Sequence, residues 1–299
     1  MLPSTLYIIG NGFDLWHRIP SSYKQFKEYV RSCDERMFDA VDRYLRAGED
    51  WSDLESALAG IDVDVIIDDL SGSMVSYGAD DWSDAYHHDF QYEVNNVVQR
   101  LSSELRVRFG AWIRTLAIPT PSSAATRLKE IDSDAVFLSF NYSSTLRDLY
   151  GVPDAQVLHI HGKATLPNSE LILGHAWNPV QRQSLNDACD EDTDSRLMEA
   201  HNILDDYFAK TFKPSEQLIT EHQAFFDQLG AIDIVHVLGH SLSEVDLLYF
   251  QALLRMPRVA AAQWSIACRS EQERPTKHAR LVEIGVPAKL IKPVLWEDL

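Results

Sequence analysis

Leu6-Tyr7-Ile8-Ile9-Gly10-Asn11-Gly12-Phe13-Asp14 is the stretch whose reading decides the fold. Four consecutive apolar residues without polar alternation, closed by glycine, read as a parallel strand covered on both faces. The Gly-x-Gly that follows reads as a tight turn feeding a helix. Similar short runs recur at Ala135-Val136-Phe137-Leu138, Val157-Leu158-His159-Ile160, Leu171-Ile172-Leu173, Ile232 to Leu238 and Trp264-Ser265-Ile266-Ala267. Helical patterns separate most of them. This alternation predicts an α/β fold built on a doubly wound parallel sheet.

One interruption is large, because more than a hundred residues between the first two runs read mainly as helix. Ser22 to Arg31 places Tyr23, Phe26 and Val30 at helical spacing, with Ser21 as its N-cap. Ser52 to Leu70 opens on Ser52-Asp53-Leu54-Glu55, a capping-box pattern. Trp82 to Leu116 carries the longest apolar stripe, through Phe90, Val94, Val97, Val98, Leu101, Leu105, Phe109 and Ile113. Ser71-Gly72-Ser73 and Tyr77 to Asp80 read as exposed loop, and Asp194 to Leu229 as a second helical patch. The expected layout is a sheet domain over residues 1–20 and 132–299, with residues 21–131 as a helical insertion covering the pocket. Open α/β sheets bind ligands at the carboxyl ends of their strands.

Composition narrows the function. Of 299 residues, 45% are apolar and 24% charged, as in globular proteins. Forty-five acids against 27 bases give a net charge of -18, which repels phosphate backbones and anionic lipid surfaces. Neither direct nucleic-acid binding nor a membrane partner is expected. Arg106, Arg108 and Arg114 read as a solvated helix face. Cys33, Cys189 and Cys268 are scattered, so neither a zinc ribbon nor a disulfide framework is signalled. No signal-peptide pattern opens the chain, and no apolar run approaches the roughly 18 residues of a membrane span. The expected location is the cytoplasm.

Four motifs carry the candidate chemistry. In Gly10-Asn11-Gly12-Phe13-Asp14 the glycines allow close approach to a diphosphate, and equally fit a turn without ligand. Asp14 suits capping, or holding a ribose or amide. In Ser139-Phe140-Asn141-Tyr142-Ser143-Ser144-Thr145, with Ser143 or Ser144 as a helix cap, the Asn141 amide stands at a strand exit, where it can hold a ribose hydroxyl, orient a water or form a simple Asx turn. His159-Ile160-His161-Gly162-Lys163 puts both imidazoles on one strand face, with His161 at the exit as a general base. The same pair fits hydrogen bonding inside the sheet, or a metal site completed by His175 or His240. Gly239-His240-Ser241-Leu242-Ser243 is another glycine turn, with Asp246 at a helix start. It lacks the second glycine of a nucleophile elbow.

The order of these motifs resembles the AbiH family of bacteriophage abortive-infection proteins. The resemblance rests on Leu6 to Tyr23, Phe140-Asn141-Tyr142, His159 to Lys163, Ile172-Leu173-Gly174-His175, and Gly239-His240-Ser241-Leu242 with Asp246. That family in turn resembles sirtuin-like domains of antiphage NADases, which implies NAD as ligand or substrate, no metal, and assembly into homo-oligomers. Matched by position, Gly10 and Gly12 take the phosphate-turn glycines, Asn141 the ribose asparagine and His161 the catalytic histidine; Gly239 and Ser241 take the late turn on the adenosine side. Asn11, Phe13, Asp14, Tyr142, Gly162 and Asp246 complete the implied binding set. Two positions depart: Asn11 replaces a small residue, and Ser143 replaces an aspartate after Asn-Tyr. The four-cysteine zinc module of sirtuins is absent, which argues against protein deacylation.

Three functional readings follow. The first is an antiphage effector that hydrolyses the nicotinamide–ribose bond of NAD, opened by a phage-derived trigger, with Glu55 as a capping residue or an extra acid. The second is a nucleotide-binding module without hydrolysis, motivated by Ser143. The third is a metal-dependent nuclease using His159, His161, His240 and Asp246.

Overall fold

The computed structural model describes residues 2–76, 78 and 88–299. The chain forms two compact units: Met1–Ser22, Gly110–Ile172 and Pro214–Leu299 make one, and Tyr23–Phe109 with Leu173–Lys213 make the other.

The first unit is built on a six-stranded sheet: β1 (Thr5–Ile9), β2 (Val136–Ser139), β3 (Val157–His159), β4 (Ile234–Leu238), β5 (Gln263–Cys268) and β6 (Ile291–Leu295). All neighbours pair in parallel, in the order β3-β2-β1-β4-β5-β6. The order reverses between β1 and β4, which makes that junction the topological switch point. Alternate residues serve opposite faces. Leu6, Ile8, Leu138, Val235, Val237 and Ile266 join one core cluster, whereas Tyr7, Ile9, Phe137 and Ala267 join another. Burial on both faces explains why β1 and β2 read as unbroken apolar runs.

Two strand readings change. Leu171 to Leu173 forms no strand. Its backbone bonds instead around the end of β3, with Ile172 N donating to His161 O (2.9 Å) and Ile172 O accepting from the Tyr142 hydroxyl (2.6 Å). Strand β6 was not expected, because Lys292 and Pro293 interrupt its apolar run. It lies at the sheet edge, where a residue without N–H is tolerated.

The second unit is helical around Phe26, Trp51, Phe90, Leu101 and Tyr207, all buried. Phe26 and Val30 are the buried residues of helix Tyr23–Cys33, as their spacing predicts. The stripe from Phe90 to Phe109 is buried along Asp89–Gln99, a π-helical turn at Arg100–Glu104 and Leu105–Thr115. Trp82 to His87, and most of the loop expected at Tyr77 to Asp80, lie outside the described residues. The capping box does not form. Ser52 Oγ turns to Asp53 (3.4 Å), while Glu55 accepts from Tyr23 Oη (2.5 Å) and from the fully buried Lys213 (2.7 Å). A tertiary ion pair has overridden a local preference. Ser21 likewise gives its hydroxyl to Asn11 (2.7 Å). The three arginines are half-buried and bonded within their own units: Arg106 to Lys210 O, Arg108 to Asp34 and Arg114 to Leu166 O. They form no solvated face.

The three cysteines are unpaired. Among the described residues no helix is long and apolar enough to cross a membrane.

Candidate functional site

Strand register brings the motifs together. Ile9 pairs with both Ser139 and Leu238, and Ser139 with His159, so the segments after β1, β2, β3 and β4 leave the sheet at one level.

The turns after β1 and β4 touch through their backbones. Gly10 N donates to Leu238 O (3.0 Å), Gly12 N to Gly239 O (2.8 Å) and Phe13 N to Gly10 O (2.9 Å). Gly239 has φ +74°, and a methyl group there would overlap Phe13 N and Gly12 C. A methyl on Gly12 would lie 2.7 Å from Gly239 O. Contact between turns therefore requires glycine at both positions. The N–H groups of Gly10, Gly12 and Phe13 are committed to protein carbonyls. Asn11 is bound to Ser21 twice, accepting from its hydroxyl and donating to its carbonyl (2.8 Å). Phe13 is a core residue, buried against His17, Tyr150 and Trp296. His17 Nδ1 donates to Phe13 O (2.7 Å), and its Nε2 accepts from Tyr150 Oη (2.6 Å). Burial lowers the His17 pKa, which favours this neutral ring.

Asp14 stands one helical turn beyond Gly10, at 2% exposure. Its Oδ2 accepts from Ser143 Oγ (2.6 Å), which lies 3.0 Å from Thr145 Oγ1. Burial pushes the Asp14 pKa up; Ser143, Thr145 and Asn141 oppose that shift. Asn141 is close enough to ease the charge on Asp14, yet neither of its side-chain amide atoms completes a hydrogen bond, and Asp14 Oδ1 completes none either. Buried polar atoms without partners are rare and costly.

A second cluster surrounds the Phe140 ring. His161, His240 and Tyr249 all pack edge-on against it. His161, at 3% exposure, places Nε2 3.2 Å from Tyr249 Oη and 3.8 Å from Asp246 Oδ1. Leu242 N donates to His240 Nδ1 (2.9 Å), so the His240 proton sits on Nε2, which faces Asp246 Oδ2 at 3.4 Å. Asp246 thus bridges two imidazoles. Leu242 itself has φ +61°, with its side chain buried and its carbonyl accepting from Arg280 Nε (2.9 Å). Non-glycine residues in this region are strained and persist only where the surroundings over-determine them.

The structure therefore gathers Asp14 with Asn141, and His161 with Asp246. Tyr142 lies between, its ring 6.3 Å from His161. Gly162 turns the chain after β3 at φ +88°. Ser241 is exposed on the β4 turn. His159 Nδ1 donates to Asn141 O (2.8 Å), holding the asparagine backbone, and burial lowers its pKa. His175 belongs to the second unit, where its Nε2 donates to Phe208 O (3.2 Å). Among the described residues, no group of three or more His, Cys, Asp or Glu is arranged to hold a metal ion. Sequence reasoning gave Thr145 no role within its motif and missed Tyr249. The spacing Asp246-x-x-Tyr249, which sets both at one helix start, was the available signal for the second.

An open parallel sheet in this strand order, with buried polar clusters at its switch point, places the chain in the α/β class. Residues 6–268 match the family described as Bacteriophage abortive infection AbiH. The chain belongs to the AbiH family. No curated protein and no solved structure matches it.

Proposed function

We propose that this chain serves abortive infection by binding NAD over the ends of β1, β2 and β4 and hydrolysing its nicotinamide–ribose bond. The observation that carries this reading is the pair of Asp14 and Asn141, buried with three side-chain atoms lacking partners, beside a buried His161 backed by Asp246. Such atoms fit a ligand that both donates and accepts hydrogen bonds, as a ribose or a carboxamide does.

In the proposed reaction Asn141 holds the ribose or the attacking water. The water oxygen bonds to the anomeric carbon, the carbon–nitrogen bond breaks, and nicotinamide leaves as a neutral molecule. His161 accepts the proton released by the water. Asp246 acts as a positioning residue, because a carboxylate 3.8 Å away steadies the imidazolium so formed. The amides of Gly10 and Gly12 are engaged elsewhere, so side chains carry more of the ligand contact than the glycine pattern suggested.

Purified protein, with and without phage-infected lysate to supply a trigger, is assayed for nicotinamide release beside Asn141→Ala and His161→Ala. Loss of the base should slow turnover by about 10²- to 10⁴-fold. No release from wild type under either condition removes the hydrolytic reading. A second reading, binding without hydrolysis, is favoured by His161 Nε2 already facing Tyr249 and by the Ser143 hydroxyl in place of a carboxylate. Calorimetric binding of ADP-ribose without turnover would select it.

A further inference from the structure

Helix Glu273–Ile284 sends two cations to the turn after β4. Arg280 Nε donates to Leu242 O, and Lys277 Nζ donates to His240 O at 3.2 Å. The two differ in what balances their charge. Arg280 pairs with Glu283 (3.0 Å), whereas no carboxylate among the described residues lies within ion-pair distance of Lys277. Glu273, whose charge reaches Lys277 through space, accepts instead from the Arg269 backbone N–H (2.8 Å). Lys277 is half-buried, and burial lowers its pKa.

A half-buried ammonium whose one bond is to a neutral carbonyl is a poor structural tether. The turn does not need it: Leu242 is already held by His240 Nδ1, by Arg280 and by its buried side chain. What the arrangement lacks is an anion in direct contact with the ammonium. Lys277 meets the turn at His240, the residue before exposed Ser241, on the strand that borders the switch point. In a chain of net charge -18, a diphosphate approaching this point needs a local cation, and the amides of Gly10, Gly12 and Phe13 are not free to help.

We propose that Lys277, which bonds the carbonyl just before Ser241, anchors the diphosphate of the nucleotide bound at the switch point. The inference rests on the nucleotide reading above and names the residue that supplies its charge recognition.

The test is calorimetric titration of ADP-ribose into wild type, Lys277→Met and Lys277→Arg, with the thermal midpoint of each protein measured without ligand. Lys277→Met keeps the side-chain volume and removes the charge. It should weaken ADP-ribose binding by about 10- to 100-fold at an unchanged midpoint, while Lys277→Arg stays within several-fold of wild type. Equal affinity for wild type and Lys277→Met overturns the assignment and leaves the nucleotide reading intact. A lower midpoint in Lys277→Met, with weakened binding that arginine does not restore, also overturns it by making Lys277 a structural tether. If wild type binds no ADP-ribose, the nucleotide reading fails first and the anchor falls with it.

Discussion

Replacing Gly239 by alanine tests whether the turns after β1 and β4 are glycine-rich because they touch one another. At φ +74° an alanine adopts left-handed backbone, at a cost of about 1–2 kcal/mol. Its methyl group would overlap Phe13 N and Gly12 C, and backbone cannot rotate aside as a flexible side chain does. Overpacking of this kind adds about 1–3 kcal/mol. Separating the turns also breaks the 2.8 Å bond from Gly12 N to Gly239 O, worth about 0.5–1.5 kcal/mol net. Together Gly239→Ala should cost about 3–6 kcal/mol, a large share of the roughly 5–15 kcal/mol that holds a typical domain together. Gly151 supplies an internal control. It has φ +71°, closes helix Thr145–Tyr150, and nothing lies within 4 Å of a methyl placed on it. Gly151→Ala should therefore show the backbone term alone, about 1–2 kcal/mol. Urea unfolding of the two variants and wild type measures the difference, expected at about 2–4 kcal/mol. Equal destabilisation by the two substitutions would refute the turn-to-turn contact.

Two further predictions concern buried charge. The Asp14 pKa is raised by burial above the ordinary 3.8, so the folded chain holds this proton more tightly than the unfolded chain does. Stability from this group is then present below pH 3.8 and declines as pH rises through the folded pKa, staying lower beyond it. Relative to Asp14→Asn, wild type should lose stability as unfolding is repeated from about pH 4 upward; a gain over that window would mean that Ser143, Thr145 and Asn141 outweigh burial. In the second unit, Lys213 and Glu55 meet at 2.7 Å with the lysine side chain fully buried. Lys213→Met and Glu55→Leu should each destabilise, the double variant by less than their sum, with a coupling of about 1–3 kcal/mol. A double-mutant cycle that closes at zero would show that the pair contributes nothing through its contact.

Strands β1 and β2 were legible because burial on both faces forces an unbroken apolar run, and β4 because its run is broken only at His236. Strand β6 was not, since an edge position lets Lys292 and Pro293 stand where an internal strand would exclude them. Leu171 to Leu173 shows the opposite failure. Its three apolar residues satisfy the strand pattern, but the hydroxyl of Tyr142 and the carbonyl of His161 claim its backbone first. Helical stripes survived translation into structure better than caps did. A stripe is decided by many residues together, whereas a cap is one side chain, and at Ser21 and Glu55 that side chain found a stronger partner distant in sequence.

The candidate site divides along the same line. Asn141, His161 and Asp14 could be named from sequence because each stands at or just beyond a strand end, and strand ends are visible. Their partners could not. Asp246 reads locally as a carboxylate at a helix start, and only the fold sets it between His161 and His240, 85 and six residues away in sequence. Lys277 belongs to no motif at all. The glycines carried two readings, approach to a diphosphate or a turn without ligand, because a backbone that must approach closely looks the same in sequence whether it meets a phosphate or a second turn. What distinguishes a ligand site from tight packing is the state of the polar atoms around it. Gly12 and Gly239 satisfy each other; the Asn141 side-chain amide and Asp14 Oδ1 are buried and complete no hydrogen bond within the chain. A fold selected for stability alone would gain from an apolar residue at Asn141, because an unpartnered buried amide costs about 1–3 kcal/mol. On the proposed reading, the polar residue held there against that cost waits for a bond that forms only when a ligand arrives.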